Sequence, residues 1–422
     1  MLNSLLNFLI KKPAWSLALF LIVIGTTFLQ IQNFSLDASS ESLSLEGDNN
    51  LELYFDTQKT FGSDESLVIS YTTNEENILG TKQISHLRSL RDDLLNIEGI
   101  NSVISILDVS LFQSPPLSLI ELASDVYTID NGKAELSYIE NEFKNSPLYA
   151  NNLVSTDLKT TALLIPLATD NPEILINQET LKVIIEDIRL TMNEYRNEAS
   201  LFLGGVPMIR NDAIAYIKSD LIVFSLAVIL AMSIMLAFFF HKIRWVAVPI
   251  MISIIGALFM TGVISAIGWK VTVISANFFS LLLVMTLSVT IHLVVRYREI
   301  SSNNPDATSS ELTKQTLTEM IKPCTFTVIT TIAAFVSLTT SNVKPVIDFG
   351  LMMSIGVMIA FVLSFISFAI FTMLLPKPIT ASHPDQFLVL EKFAIITDKF
   401  GKRILVTLIV TMIIAFIGVS KL

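Results

Sequence analysis

The chain has 422 residues, of which 52% are hydrophobic and only 16% are charged, and its mean hydropathy is +0.62. Because an ordinary soluble domain is about 25% charged, this composition excludes both a soluble enzyme and a disordered chain. The single cysteine, Cys324, excludes a disulfide framework, and the four histidines lack metal-ligand spacing. We therefore expect no metal and no other cofactor. The net charge of −10 argues against nucleic acid as a partner.

The charge is unevenly distributed along the chain. Residues 34–217 contain 29 acidic and 11 basic residues, whereas the remainder contains 9 acidic and 17 basic residues. This split predicts one acidic domain that is inserted into an otherwise basic and apolar chain. The acidic residues lack the spacing of a calcium-binding loop, so a solvated face is favoured over a cation site.

Seven apolar segments are long enough to cross a membrane, which requires about 20 mostly apolar residues. They are residues 13–32, 218–240, 245–267, 271–294, 323–341, 346–375 and 404–420. The first segment is not followed by a small-x-small cleavage pattern, so we interpret it as a retained anchor rather than a signal peptide.

The positive charges between the apolar segments predict how the chain is oriented. If the N-terminus is cytoplasmic, 13 Lys and Arg residues flank the spans on the cytoplasmic side and 2 occupy the short outer loops. Cytoplasmic loops carry an excess of Lys and Arg. Residues 34–217 are therefore predicted to lie outside the cytoplasm.

The acidic domain shows a repeated strand–helix–strand pattern. Residues 66–107 and 161–205 each combine a β-rich run, a segment with helical periodicity and a second β-rich run. Two such units predict an α+β domain with ferredoxin-like halves, and residues 111–150 form a looser insertion between them. The alternative is a generic α+β fold that binds nothing.

Several stretches of this sequence resemble one family of membrane transporters. They are FGSDES at 61–66, GGVPMIRNDAIAYIKSDL at 204–221, SVTIHLVVRYREI at 288–300, KPCTFTVITTIAAFVSL at 322–338 and PVIDFGLMMSIGV at 345–357. In this order they resemble the N-terminal half of the resistance–nodulation–division (RND) superfamily. The resemblance is greatest to the lipid-exporting, MMPL-like branch, which is related to sterol-sensing domains.

The resemblance implies a polytopic α-helical protein of the bacterial inner membrane, with a ferredoxin-like periplasmic domain between its first two spans. The implied division is a cytoplasmic N-terminus with the first span (1–33), a periplasmic α+β porter-like domain (34–217), a five-helix, sterol-sensing-like bundle (218–375), a cytoplasmic amphipathic linker (376–403) and a seventh span (404–422). The family has a second half that repeats the first. We therefore expect that this chain is a fragment, or that a partner supplies the rest.

The family drives transport by proton flow, and its fourth span usually carries an acid near the sequence GVDYAIHL. Aligning Ile291–Leu293 on the IHL of that pattern places Ser288 at the position of the acid, and residues 271–294 contain no Asp or Glu. The candidates at this relay position are then Ser288 and His292 on one helix face and Thr286 and Thr290 on a neighbouring face. A structural role and a proton-carrying role are both open for His292.

Other polar residues are predicted to contact neighbouring helices. Thr327, Thr330 and Thr331 follow one span, and a hydroxyl in the bilayer usually finds a partner on another helix. We expect Ser288 to do the same. Asp220 and Asp348 are predicted near the outer ends of spans, either as caps or ion pairs or as carboxylates that face water.

Taken together with these patterns, the resemblance implies half of an RND-type transporter and not an enzyme. It would export lipidic or hydrophobic molecules with energy from the proton gradient, supplied through a second half. The expected partners are the substrate, that second half or another copy of the chain, and periplasmic envelope proteins. The alternative is a non-transporting lipid sensor or a scaffold subunit of an envelope complex. An accessory subunit of protein export is a third candidate.

Overall fold

The structure is a computed structural model that describes residues 12–38, 65–114, 127–132, 135–167, 178–376 and 387–419, with residues 50, 53–54, 56–57 and 60. Seven of its helices are long and apolar enough to cross a membrane. The prediction of a polytopic helical membrane protein with about seven spans is confirmed.

The first described helix is α1 (Pro13–Leu29), followed by the short strand β1 (Leu36–Asp37). The α+β domain then contains β2 (Ser66–Thr73), α2 (Thr81–Leu95), α3 (Leu136–Asn145), β3 (Thr160–Pro166), α4 (Gln178–Tyr195) and β4 (Ala199–Gly204). The elements that follow are α5 (Val206–Phe240), α6 (Ile243–Ala266), β5 (Val271–Thr272), α7 (Phe278–Asn303), α8 (Ser309–Ser337), α9 (Lys344–Leu374) and α10 (Phe387–Val419). Helices α5 to α9 pack on one another and form the bundle.

The sheet of the α+β domain has β2 at its centre, antiparallel to β3 on one side and to β4 on the other. Side chains alternate along β2, so Leu67, Ile69 and Tyr71 face a buried core. Apolar residues of α2 and α4, among them Leu87 and Ile185, cover that core. The α+β character of the domain follows from the sequence pattern.

The second strand predicted for the first unit is reduced to one bridge, in which Ile104 pairs with Leu164 of β3. The cause is local, because Ser105 donates hydrogen bonds from its amide (3.1 Å) and its hydroxyl (2.7 Å) to Oδ2 of Asp108. The Asp108 amide also donates to the Ser105 carbonyl (3.2 Å), which turns the chain away from the sheet. The ferredoxin-like description therefore stays a prediction.

Helix α5 joins the α+β domain to the bundle without interruption. It has 35 residues and is thus about 52 Å long, whereas the hydrocarbon layer is about 30 Å thick. Its first turns lie in the α+β domain, where Pro207 is buried and Arg189 of α4 forms an ion pair with Asp212 (2.6 Å). The domain boundary predicted at 217/218 therefore falls inside a continuous helix.

Two other helices begin earlier than their apolar runs. Helix α8 begins at Ser309, where Thr308 and Glu311 form a reciprocal capping box, rather than near residue 323. Helix α10 begins at Phe387 and continues through the boundary predicted between the linker and the seventh span at 403/404.

Helix α6 is as deeply buried as α9 and contacts α1, α5, α7 and α9. Glycines allow these close approaches, since Gly256 lies against Thr286 of α7 and Gly262 lies against Thr27 of α1. The segment after α1 pairs with the loop after α6, because β1 and β5 run parallel with Leu36 opposite Val271. The contact of Thr27 with Gly262 and the pairing of β1 with β5 therefore both hold α1 against the bundle.

Candidate functional site

The four relay candidates on α7 lie on two sides of that helix. Thr286 and Thr290 are fully buried, whereas Ser288 and His292 are exposed. Successive residues of a helix are rotated by about 100°. Ser288 therefore points away from the side on which both threonines pack.

The buried threonines have local hydrogen-bond partners. The Thr286 hydroxyl donates to the carbonyl of Leu282 (2.7 Å), and the Thr290 hydroxyl donates to the carbonyl of Thr286 (2.8 Å). The Thr290 hydroxyl also lies 3.5 Å from the Ser364 hydroxyl of α9. A Cβ added to Gly256 would lie 3.2 Å from the Thr286 side chain. The two threonines therefore serve helix packing, and neither can hold a charge at neutral pH.

Ser288 and His292 belong to an exposed stripe of α7 that also includes Val284, Val295 and Glu299. These residues follow one another at intervals of three or four, so they share one side of the helix. The expectation that Ser288 faces another helix stays a prediction, and no described helix of this chain covers Ser288. The reason is that Thr286, Thr290 and their neighbours already occupy the inward side.

The threonines of α8 are likewise not covered by another described helix, so their predicted interhelical contacts stay a prediction. Thr327 and Thr330 are exposed and Thr331 is partly exposed, so they make no buried contact with another described helix. Each hydroxyl instead bonds to a carbonyl of its own helix, as when Thr331 donates to Thr327 (2.8 Å). Such local bonds satisfy a hydroxyl without a second helix. The buried side of α8 carries other residues, among them Thr316 and Cys324.

The two predicted carboxylates lie apart from the relay candidates. Asp220 is exposed and lines a cavity of about 250 Å³ with Tyr216 of α5 and with Asn277 and Ser280 at the start of α7. Asp348 is partly exposed in the first two turns of α9. None of the four relay candidates lines the cavity that contains Asp220.

A second cavity, of about 360 Å³, lies between α5, α6 and α7. We call it the apolar cavity, and its wall includes Phe34, Leu226, Phe278 and Phe279. Ser225 and Thr261 are the only hydroxylated residues among its described lining residues. It thus offers an almost wholly apolar surface within the length of the spans.

A third cavity, of about 250 Å³, lies between α4 and the first turns of α5. We call it the basic cavity because Lys182, Arg210 and Lys218 line it together with one acid, Glu179. Sequence reasoning missed both this cavity and the apolar one. The available signal was the spacing of Arg210 and Lys218, which are eight residues apart and therefore near one side of a helix.

The α+β domain contains a cluster of ion pairs between α2 and the segment 127–132, which we call the clamp. Arg91 lies 2.6 Å from both Asp108 and Asp130, and Arg88 lies 2.7 Å from Asp130. Burial alone would raise the pKa of Asp130, but hydrogen bonds from Arg91 and Arg88 hold this pKa below its usual value of 3.8. Asp108 and Asp130 are both paired with arginines, which supports a structural role for this cluster.

Among the described residues, no group of three or more His, Cys, Asp or Glu side chains is placed to hold a metal ion.

A sequence profile of the MMPL family matches residues 56–378, which is well over half of the chain. The match begins before the sheet of the α+β domain and continues beyond the end of α9, so it covers the residues of α5 that line the three cavities described above. No curated protein matches the chain. On the strength of the profile match, the chain belongs to the MMPL family.

Proposed function

We propose that this chain moves a lipid from the membrane toward the α+β domain as one half of an RND-type transporter. Membership of the MMPL family supports an RND-type transporter of hydrophobic substrates in a multi-pass membrane protein. The direction of transport, the energy source and the lipid nature of the substrate are the parts that this proposal adds.

The apolar cavity is the observation that carries the proposal. Its volume of about 360 Å³ lies within the range of about 300–1,000 Å³ that is usual for small-molecule sites. Leu221 and Leu226 of α5 line it, and both lie in the candidate span of that helix. A hydrocarbon chain could leave the bilayer for this surface without losing apolar contact.

Helix α5 supplies a route out of the bilayer. The same helix lines the apolar cavity at residues 221–226 and the basic cavity at residues 210–218. Because it is continuous between these points, a movement of the α+β domain would change the wall of the apolar cavity. This coupling through one rigid helix supports transport rather than simple storage.

We further propose that residues 34–217 are periplasmic and that the chain lies in the inner membrane of a bacterium. The bias of 13 to 2 in Lys and Arg supports this orientation. A cysteine at Asn131 should react with an impermeant maleimide added to intact spheroplasts. Labelling only after the membrane is opened would overturn the orientation.

Energy coupling is proposed to depend on a second six-helix half or on another copy of the chain. The reason is that Ser288 is neutral and residues 271–294 contain no carboxylate. The exposed side of α7, with Ser288 and His292, is available for such a partner. Proton sites would then come from the partner or from His292.

The experiment is photolabelling of the purified chain in nanodiscs that contain a diacylglycerol with a diazirine on its acyl chain. Leu226→Trp should fill the apolar cavity and reduce labelling of residues 221–226. Leu230→Trp is the control, because Leu230 lies one turn further along α5 and both leucines are 62% exposed. Equal labelling of the two variants would overturn the lipid site.

The second candidate function is a lipid sensor or scaffold that binds lipid without moving it. The neutral Ser288 at the relay position is the observation that favours it. Transfer of the labelled lipid between the leaflets of proteoliposomes, driven by an imposed pH gradient, separates the two functions. Binding without transfer by the complete assembly would favour the sensor.

A further inference from the structure

The basic cavity and the apolar cavity lie on the same side of α5. Arg210 and Lys218 line the first, and Leu221 and Ser225 line the second, with Ile214 of the basic cavity between the two cations. These five residues follow one another at intervals of four, four, three and four, which keeps them on one helix face. Asp220, which lines the cavity shared with Tyr216, Asn277 and Ser280, points to another side of α5.

The basic cavity is lined mainly by positive charges, although the domain around it is acidic. Residues 34–217 contain only 11 basic residues against 29 acidic ones, yet Lys182, Arg210 and the adjacent Lys218 meet here. Arg210 lies 3.7 Å from Glu65, and Lys182 lies 3.8 Å from Glu186. The ion pair of Lys182 is long and exposed, so it does not fully occupy the Lys182 ammonium group.

Lys218 lies on α5 just before the residues that line the apolar cavity. It has no carboxylate partner among the described residues. The apolar cavity holds a complementary feature in Ser225, which is 7% exposed and whose hydroxyl has no described hydrogen-bond partner. A buried hydroxyl is normally hydrogen-bonded. A cation at one end and an unpaired hydroxyl at the other therefore point to one amphipathic ligand.

The spacing of these two groups matches a lipid that lies along the helix. Lys218 and Ser225 are seven residues apart, or about 10 Å along the axis. The polar interface of one leaflet is about 5–8 Å thick, since a bilayer measures about 40–45 Å with its headgroups and about 30 Å without them. A headgroup at Lys218 would place the first acyl carbons near Ser225.

We propose, building on the lipid function above, that the two cavities together bind a single lipid with an anionic phosphate headgroup. The phosphate is bound by Lys182, Arg210 and Lys218, and the Ser225 hydroxyl donates to an ester carbonyl oxygen. One acyl chain lies in the apolar cavity. Arginine and lysine are suited to this role, since charge-assisted hydrogen bonds to phosphate are short and strong.

The test uses the full chain in nanodiscs with three acyl-diazirine probes: phosphatidylglycerol, phosphatidylcholine and diacylglycerol. The parent should label most with phosphatidylglycerol at α5, and the crosslinks should map to residues 210–226. The double variant Lys182→Gln/Lys218→Gln should lower this labelling by at least about tenfold while diacylglycerol labelling stays unchanged. Arg210 is retained so that its pair with Glu65 is not disturbed.

The control is the double variant Lys82→Gln/Lys144→Gln, which removes the same charge from exposed ion pairs elsewhere in the α+β domain. It should label like the parent. Equal labelling by all three probes, or an unchanged Lys182→Gln/Lys218→Gln variant, would overturn the anionic-lipid site. Binding of inorganic phosphate that needs both lysines, without preference for phosphatidylglycerol, would also overturn it and indicate a free-phosphate site.

Failure of this inference can be distinguished from failure of the proposed function. If Leu226→Trp lowers diacylglycerol labelling but no probe shows a headgroup preference, the lipid site stands and only the anionic headgroup is wrong. If Leu226→Trp changes no labelling, the apolar cavity does not bind lipid and both proposals fail.

Discussion

Gly262 of α6 lies so close to Thr27 of α1 that a Cβ at position 262 would overlap the Thr27 carbonyl oxygen. The Thr27 Cβ would lie 3.1 Å away from the same added atom. Only a residue without a side chain allows the two helices to approach in this way. The contact holds the first helix against the bundle and positions Phe34, which follows it and lines the apolar cavity.

The first prediction follows from this contact. Gly262→Ala should force α1 away from α6, at a cost of about 1–3 kcal/mol for overpacking. The expected result is a lower melting temperature of the detergent-solubilised protein. Gly25→Ala is the control, because no atom lies within 4 Å of a Cβ added there. Equal melting temperatures for both variants would contradict the packing described here.

The helices of the bundle could be predicted from sequence because the bilayer imposes a minimum apolar length. Their ends could not, since polar turns extend the helices beyond the hydrocarbon layer. The capping box of Thr308 and Glu311 starts α8 well before its apolar run, and α5 begins at Val206 inside the α+β domain. A rule based on hydropathy measures the part of a helix that lies in lipid and not the whole helix.

The second prediction concerns Glu142, a buried carboxylate on α3. It is 2% exposed and accepts hydrogen bonds from the amides of Phe112 (2.7 Å) and Gln113 (3.0 Å) and from the hydroxyl of Ser114 (2.6 Å). Glu142→Ala would leave these three donors without their acceptor, at a cost of about 1–3 kcal/mol for each group that stays buried and unsatisfied. Hydrogen exchange at residues 112–114 should accelerate.

Glu140→Ala is the matched control for this change, because Glu140 lies on the same helix but forms only an exposed pair with Lys144 (2.7 Å). Such pairs contribute little to stability. If exchange at residues 112–114 rises equally in both variants, Glu142 does not hold that segment.

The third prediction is a dependence on pH. Hydrogen bonds from Arg91 and Arg88 depress the pKa of Asp130 below its usual 3.8. A carboxyl whose folded pKa is depressed stabilises the fold above its unfolded pKa and loses this contribution as pH falls through the folded value. The α+β domain should therefore lose stability below about pH 4 as the clamp is protonated.

Asp130→Asn should flatten this dependence, because the amide cannot titrate. The measurement is hydrogen exchange of residues 127–132 at pH 6 and pH 3.5, with exchange rates corrected for their intrinsic pH dependence. An equal increase in the parent and in Asp130→Asn would show that another group governs the acid response.

The sequence identified which residues of α7 are polar but not which of them are accessible. The intervals between Ser288 and His292 and between Thr286 and Thr290 correctly separate two faces. They do not say which face packs inward, because apolar residues occur on both sides of the helix, as the exposed Val284 and the buried Val294 show. Tertiary contacts, such as that of Gly256 with Thr286, determine which face of α7 is buried.

The last prediction tests this assignment and, with it, the proposed surface for a second half. In a Cys324→Ala background, Ser288→Cys should react with a small membrane-permeant maleimide in detergent, whereas Thr290→Cys should not, because Thr290 is fully buried against Ser364 of α9. Mass shift of the intact protein measures both reactions. If a partner covers this side of α7 in the native membrane, Ser288→Cys should lose its reactivity there and recover it after purification of the chain alone. Reaction in both settings would leave the surface facing lipid, and reaction of Thr290→Cys instead would show that α7 is rotated.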